Sequence, residues 1–248
     1  MTIKFDHILM RVDNLKETVN DFQKMGFNVY YGNSKKKCHH AMVYFENGSF
    51  IEFIDQNAFP SILKFFAKSK ILNLFGPFFK RVEIYTLSRN RFLDYSLYCS
   101  TIKLLYEQTK AKTQVSKLMS LKRTTHLKEK IQWQLFSFDD MELPFIMSDY
   151  YPRKYPDSNS FNHQNGVIGI TEIQIKSKSA DDLILKFGAL FDLKKSIDRT
   201  IELENTRLEI SQGDKFEIIS ITLKTGDSQV NKIEYSTLSK YSIKILGK

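Results

Sequence analysis

The first candidates for chemistry are a histidine and a glutamate on two strand-like stretches near the start of the chain. His7 lies in the alternating stretch 3–12, and Glu52 lies in "SFIEFID" at 49–55. Successive side chains of a strand point to opposite faces, and the apolar faces of both stretches are needed to pack against a helix. His7 and Glu52 therefore share the concave face, where an imidazole and a carboxylate suit half of a divalent metal site. The alternative is a structural role for each, as a core histidine or a salt-bridged carboxylate.

Two further carboxylates occupy the matching positions of a later repeat. Glu172 lies in "IGITEIQI" where the first stretch has His7, and Glu209 lies in "RLEIS" where the other has Glu52. Ligand-type residues at four matching positions favour a shared function over four unrelated salt bridges.

A repeated β-α-β-β-β unit positions these residues. Within residues 3–55, a first strand leads to a helix that begins at a capping box of Asn14 and Glu17. Short strands follow, and the last two are joined by an Asn-Gly hairpin turn at Asn47. Residues 168–213 repeat the same order of elements. Because one unit cannot bury its own sheet face, the units must pair to form a core.

The sequence thus predicts an α+β protein built of repeated βαβββ modules, and the family resemblance described below implies that these modules form cup-shaped half-barrels. The predicted divisions are a first module at 1–58, an apolar connector at 59–75, a diverged second module with a basic insert at 76–152, a third module at 166–214 and a partial fourth at 215–248. The first strand of the second module is placed at "RVEIYT", which makes Glu83 its acidic candidate.

Two stretches fall outside the repeated pattern. The apolar stretch 58–79, with three interspersed lysines, is expected to cover the mouth of a cup or a barrel edge. A segment lying on a membrane surface is the alternative. The basic stretch 110–130 is expected to be a solvated face or loop, with attraction of anionic ligands as the alternative.

The ordered landmarks resemble a known family. "FDHILMRVDNLKETVNDFQKMGF", "LPFIMSDY" and "HQNGVIGITEIQI" are similar, in this order, to the glyoxalase-like branch of the vicinal oxygen chelate superfamily. The resemblance runs from residue 3 to about 225 and implies the glyoxalase/bleomycin resistance/dioxygenase fold.

In that superfamily, paired modules curl into a cup, and their first and fourth strands donate His or Glu ligands to a divalent metal that chelates vicinal oxygens of a substrate. The resemblance implies these positions are His7, Glu52, Glu172 and Glu209, with the metal open among Mn, Mg, Ni, Fe and Zn. Glu172 and Glu209 would act catalytically, by completing the metal shell or shuttling a proton. If the first module pairs instead with the second, these two carboxylates face a different site.

Two adjacent histidines open the third strand, so one of them should point towards Glu52. His39 matches a histidine that recurs in the resembled branch, which gives His7, His39 and Glu52 as a metal-ligand set. His40 is then assigned to the substrate pocket. An exposed histidine pair is the alternative.

The remaining pocket candidates are an aromatic and a cationic residue. Trp133, the one tryptophan of the chain, aligns with an aromatic position of the branch and could wall a pocket, with core packing as the alternative. Arg123 resembles the branch's arginine and could hold a substrate carboxylate or phosphate, with a solvated loop position as the alternative.

Composition limits the partners. The net charge of +9 permits an anionic ligand, but no stretch has the pattern of an RNA-binding sheet or a DNA-reading helix, so no nucleic-acid partner is expected. Two cysteines, no signal-peptide pattern and no membrane-spanning stretch lead to an expectation of a cytoplasmic protein, with a homodimer left open. The predicted function is a divalent-metal-dependent lyase, isomerase or dioxygenase of the glyoxalase type, acting on a small vicinal-oxygen substrate. The alternative is a metal-free protein that sequesters an antibiotic or a metabolite in the same cup.

Overall fold

The structure is a computed structural model that describes residues 2–33, 38–125, 128–152, 157–193, 198–226 and 235–246. The first module has a long first strand, one helix and three further strands. Their bounds are β1 (Ile3–Val12), α1 (Leu15–Lys24), β2 (Tyr30–Tyr31), β3 (His40–Tyr44) and β4 (Phe50–Asp55). The side chain of Asn14 accepts the backbone N–H of Glu17 (3.1 Å), so α1 begins at the predicted cap.

A helical connector separates the first two modules. It consists of α2 (Ser61–Lys68), a 3-10 helix (Ile71–Phe75) and α3 (Pro77–Leu87). The prediction of a strand around Glu83 is wrong, because this residue lies within α3. Gly76 followed by Pro77 is a helix start, and the side chains that face the protein recur at helical spacing, at Phe78, Arg81 and Tyr85.

The second module begins after this connector. Its elements are β5 (Phe92–Cys99), α4 (Ile102–Lys110), β6 (Met119–Thr124), β7 (Lys130–Phe136) and β8 (Phe145–Met147). The first two modules form one eight-stranded sheet in the order β2-β3-β4-β1-β5-β8-β7-β6. β1 and β5 lie antiparallel at its centre, so the first module pairs with the second.

The rest of the chain forms a second sheet. A 3-10 helix (Ser158–Phe161) precedes the third module, whose elements are β9 (Val167–Ser177), α5 (Ala180–Phe191), β10 (Thr200–Glu202) and β11 (Arg207–Gln212). The last elements are β12 (Glu217–Thr225), α6 (Tyr235–Lys240) and β13 (Ile243–Ile245). The strand order is β10-β11-β9-β12-β13, and β12 pairs in parallel with β13 as β1 does with β4. None of the helices in the described ranges is long and apolar enough to cross a bilayer.

Two asparagines at equivalent turns join the sheets. Asn205, in the turn between β10 and β11, accepts the backbone N–H of Phe5 through Oδ1 (2.9 Å) and donates to the Phe5 carbonyl through Nδ2 (3.0 Å). Asn47, in the turn between β3 and β4, donates to the carbonyl of Ile170 (3.0 Å). The third module therefore closes against the first through side chains that satisfy strand backbone.

A buried histidine fastens the segment between the sheets. His163 Nδ1 accepts the backbone N–H of Asn28 (3.0 Å), so Nε2 donates to the carbonyl of Tyr44 (2.8 Å). Burial lowers the pKa of His163 to about 4, and the hydrogen bond to Tyr44 only partly opposes this effect. The imidazole is therefore neutral at physiological pH.

Candidate binding site

His7 lies at the centre of the eight-stranded sheet and is only 2% exposed. Its ring stacks on Phe50 (4.3 Å between centroids) and meets the edge of Phe145 (5.3 Å). Nδ1 lies 2.5 Å from a carboxylate oxygen of Asp6 and donates to it. These contacts fix the ring so that Nε2 points towards Glu52.

Glu52 lies on β4 with its carboxylate between two imidazoles. Oε1 is 2.8 Å from His40 Nδ1, and Oε2 is 3.7 Å from His7 Nε2. Burial raises the pKa of Glu52, whereas the hydrogen bond and the charge of His40 lower it. The charges of His7 and Arg123 act in the same direction, and the resulting pKa is about 2. Glu52 is therefore a fixed anion at neutral pH.

Of the two adjacent histidines, the structure turns His40 towards Glu52 and leaves His39 exposed. His40 pairs with Ile54 in the β3–β4 register, and cross-strand partners share a face, so His40 lies on the face of Glu52. The assignment of His39 to the metal-ligand set with His7 and Glu52 is therefore not supported by its position. Alternation along the strand gives this place to His40.

The second module contributes an ion pair at the position that corresponds to His7. Asp94 stands as far before the N-cap of α4 as His7 stands before the N-cap of α1. Its carboxylate contacts the Arg81 guanidinium and the Tyr85 hydroxyl of α3, and both Arg81 and Asp94 are almost fully buried. Arg81 also donates to the carbonyl of Leu143 (2.5 Å). Asp94 is thus committed to holding α3 across the cup.

An aromatic residue stands at the second corresponding position. The β1–β4 register pairs Leu9 with Glu52, and the β5–β8 register pairs Ser96 with Phe145. Since Leu9 and Ser96 occupy equivalent places, Phe145 stands where the first module has Glu52. This half of the cup is therefore apolar at a position where the other half is anionic.

The concave face encloses a cavity of about 200 Å³ beneath α3. His7, Glu52 and Arg123 are polar groups of its wall. The apolar wall comes from both modules and from the connector, and includes Leu9, Phe78, Trp133, Leu135, Phe145 and Met147. A few convergent polar groups in an apolar concavity are typical of a small-molecule site.

Arg123 and Trp133, the predicted pocket residues of the second module, lie together in this wall. The Arg123 guanidinium carbon is 5.7 Å from the Trp133 ring centre and 5.8 Å from that of Tyr150. Cation–π contacts of this kind hold a guanidinium in a fixed place. The sequence alone does not indicate Tyr150, because nothing in the pattern after β8 marks it as facing the cup.

Glu172 and Glu209 lie on the second sheet and do not line this cavity. Arg207 binds both carboxylates, at 2.6 Å to Glu172 and 3.0 Å to Glu209. Gln174 donates to both as well (3.3 and 3.2 Å). Burial raises the pKa of Glu172, but the hydrogen bond and the charge of Arg207 lower it overall. The structure thus follows the alternative in which these carboxylates face a different site from His7 and Glu52.

The donor set of the cup does not fit the metal centre that the family resemblance implies. His7 Nε2 and Glu52 Oε2, 3.7 Å apart, are two donors that could face one ion, whereas catalytic zinc centres use three protein ligands. The corresponding positions of the second module hold Asp94, which Arg81 engages, and Phe145, which has no donor atom. Over the described ranges, no group of three or more His, Cys, Asp or Glu is placed to hold a metal ion.

Comparison with known proteins identifies the class. A model of the glyoxalase-like domain family matches residues 5–191, and the chain belongs to this family. This confirms the family and the curled half-barrel fold that the sequence predicts. None of the curated proteins compared with the chain matches it.

Solved structures share the fold. A hypothetical protein from Staphylococcus aureus is 20% identical, with 92% of this chain and 93% of that chain covered and a TM-score of 0.71. Catechol 2,3-dioxygenase is 9% identical, with 97% of this chain and 75% of that chain covered and a TM-score of 0.52. A 2,2',3-trihydroxybiphenyl 1,2-dioxygenase from Sphingomonas wittichii is 10% identical, with 100% and 82% covered and a TM-score of 0.52. Similarity at these identities concerns the fold alone.

Proposed function

We propose that the cup binds a small organic molecule with a carboxylate or similar anionic group and a neighbouring hydroxyl, without a metal ion. The observation that carries this proposal is the convergence of Arg123, His7 and Glu52 in one largely apolar cavity. Arg123 would pair with the anionic group, and Glu52 would accept a hydrogen bond from the hydroxyl. The cavity, at about 200 Å³, is smaller than the roughly 300–1,000 Å³ of drug-sized ligand sites, which favours a compact metabolite.

The protonation state of Glu52 supports binding over proton transfer. An effective general base has a pKa near the working pH. The pKa of Glu52 is about 2, so its carboxylate is a weak proton acceptor at neutral pH. Its role in this proposal is to orient a donor group of the ligand.

A metal-dependent enzyme is the second candidate, and one contact favours it. Histidines that ligate metals commonly donate their other ring nitrogen to a carboxylate, as His7 does to Asp6. A third protein ligand would require His40 to leave its hydrogen bond with Glu52. The predicted lyase, isomerase or dioxygenase activity applies only to this second candidate.

Thermal unfolding and Trp133 fluorescence, measured in EDTA with a panel of 2-hydroxycarboxylates and catechols, test the first proposal. We expect at least one probe to raise the melting temperature and change the emission of the wild type. Arg123→Gln and Glu52→Gln should lose the response. Lys122→Gln, which alters an exposed neighbour on the same strand, should keep it.

Metal content separates the two candidates. We expect mass spectrometry of protein dialysed against a mixture of trace divalent metals to find well below one bound metal ion per chain. One bound equivalent that is lost in both His7→Ala and Glu52→Ala, together with no response to any probe in EDTA, would replace the binding proposal with the metal-dependent one.

A further inference from the structure

The connector between the first two modules exposes an unusual amount of apolar surface. We call residues 59–87, which contain α2, the 3-10 helix and α3, the connector hairpin. Leu74 is 83% exposed and Phe65 is 68% exposed. Seven further large apolar side chains of the same hairpin are also exposed, namely Ile62, Phe66, Ile71, Phe75, Phe79, Ile84 and Leu87. So many exposed apolar side chains in one hairpin, with ring contacts between Phe65 and Phe66 and between Phe75 and Phe79, mark an interaction site.

The outer helix of the hairpin, α2, packs mainly on the other two elements of the hairpin. The most extensive contacts of α2 are with α3 and the 3-10 helix. Among the described residues, Ala67 is the one residue of α2 that is buried. By contrast, α3 turns Phe78, Arg81 and Tyr85 into the cup. One face of α3 is therefore anchored, while its other face, α2 and the 3-10 helix present apolar side chains to the surroundings.

The charge of this surface has one sign. Between Asp55 and Glu83 the sequence contains no acidic residue, whereas it contains lysines at 64, 68 and 70, besides Lys80, which pairs with Asp139. A mixture of phenylalanine, leucine and isoleucine with lysine is the composition of segments that lie in the interface of an anionic bilayer.

A basic cavity adjoins the hairpin and supplies an independent observation. It has a volume of about 250 Å³ and lies between α2 and the C-terminal ends of β1, β4 and α3. Arg11, Lys64, Lys68 and Arg89 line it together with a single carboxylate, Asp55. Arg11 donates to the side chain of Gln56 (2.9 Å) and also contacts the exposed carboxylate of Asp13 (3.4 Å). A cavity with four cations against one anion is complementary to a phosphate group.

We infer that the connector hairpin is a peripheral membrane-binding element, which inserts its exposed apolar side chains into an anionic bilayer and takes a lipid phosphate into the basic cavity. A second copy of this chain is a poorer occupant, because pairing two such surfaces would bring like-charged lysines together. Because α3 forms one wall of the cup, this placement brings the candidate binding site to the membrane surface.

Vesicle flotation tests the inference, with the full chain and two lipid compositions: phosphatidylcholine alone, and phosphatidylcholine mixed with phosphatidylglycerol. The wild type should float with the mixed vesicles at low salt and much less with phosphatidylcholine alone. Phe65→Ser/Leu74→Ser should lower the partition coefficient by about tenfold or more, because two large apolar side chains leave the interface. Lys64→Glu/Lys68→Glu should lower it to a similar degree through charge.

Matched controls lie on exposed apolar positions elsewhere. Leu104 of α4 and Leu185 of α5 are comparably exposed, and Leu104→Ser/Leu185→Ser should stay within about twofold of the wild type. Equal flotation of all variants, or none by the wild type, would overturn the inference. A wild-type dimer in light scattering that becomes monomeric in Phe65→Ser/Leu74→Ser would overturn it as well, by assigning the surface to self-association.

Discussion

Arg81 and Asp94 form a buried ion pair that joins the connector helix α3 to the central strand β5. Asp94 occupies the place in the second module where the first module has His7. The Arg81 guanidinium also donates to the carbonyls of Leu143 and Asp140, so that three segments of the chain meet at this side chain. The helix α3, which covers the cup, is therefore held in place by a buried ion pair.

Removing one member of this pair should be strongly destabilising. Asp94→Asn leaves the Arg81 charge buried without a counter-ion, which costs about 3–5 kcal/mol of unfolding free energy. Arg81→Met/Asp94→Leu, which removes both charges, should recover most of this loss. Urea denaturation monitored by circular dichroism measures both. Lys80→Ala, which breaks the half-buried and far more solvent-accessible pair with Asp139, should cost less than about 1 kcal/mol. Equal losses in Lys80→Ala and Asp94→Asn would contradict the assignment.

The protein should become less stable as the pH falls from 7.5 to 5, because His163 remains neutral in the folded state over this range. Its pKa is about 4 in the fold, against an ordinary value of 6.5. Between these values the unfolded chain binds more protons, so acidification favours unfolding. We expect this histidine to contribute about 2 kcal/mol of loss between pH 7.5 and pH 5.

The variant His163→Gln isolates this contribution. It should be less stable at pH 7.5, because the hydrogen bonds to Asn28 and Tyr44 are disturbed, but its unfolding free energy should depend less on pH over this range. Parallel curves for the variant and the wild type would exclude His163 as the source.

Loss of the Asn205 side chain should weaken the junction between the sheets. Asn205→Ala leaves the N–H and carbonyl of Phe5 without their side-chain partner, at a cost of about 2–3 kcal/mol. Chemical denaturation should show this, and Asn57→Ala, at an exposed position after β4, provides the control and should change little. A neutral Asn205→Ala would mean that water satisfies the strand as well as the asparagine does.

The close approach of Asn47 to β9 depends on a glycine. An added Cβ at Gly169 would lie 2.3 Å from Asn47 Cγ, so Gly169→Ala must displace the Asn47 side chain from its hydrogen bond to Ile170 and should cost about 1–3 kcal/mol. At Gly188 of α5, the nearest atom to an added Cβ is the Leu193 carbonyl oxygen at 3.5 Å. Gly188→Ala should therefore be neutral or slightly stabilising, because alanine favours a helix. Thermal unfolding of the two variants side by side tests the difference.

The sequence predicts the repeating unit and the family, because both depend on local patterns. The alternation around His7, the Asn14 cap and the Asn47 turn each specify their element from a few residues. The choice of module partners is different in kind, since it depends on the antiparallel register of β1 with β5 and on the contact of Asn205 with Phe5. These are pairings between distant residues that no local pattern encodes.

The site is harder to predict than the fold, because it depends on which face of a strand each residue occupies and on the position of α3. A shift of one residue in a strand exchanges its faces, and this decides between His39 and His40. The sequence does not indicate Asp94, because the stretch around Glu83 alternates like a strand and so predicts the first strand of the second module too early in the chain. Gly76 followed by Pro77 is the local signal that favours a helix there.

The contact between Asn205 and Phe5 spans a sequence separation of 200. During synthesis, the backbone groups of Phe5 must wait for this partner until the third module has emerged from the ribosome. Long-range closures of this kind slow folding and couple the two ends of a chain. The N-terminal sheet should therefore lose its structure together with the C-terminal one, and Trp133 fluorescence and far-UV circular dichroism should report a single coincident transition.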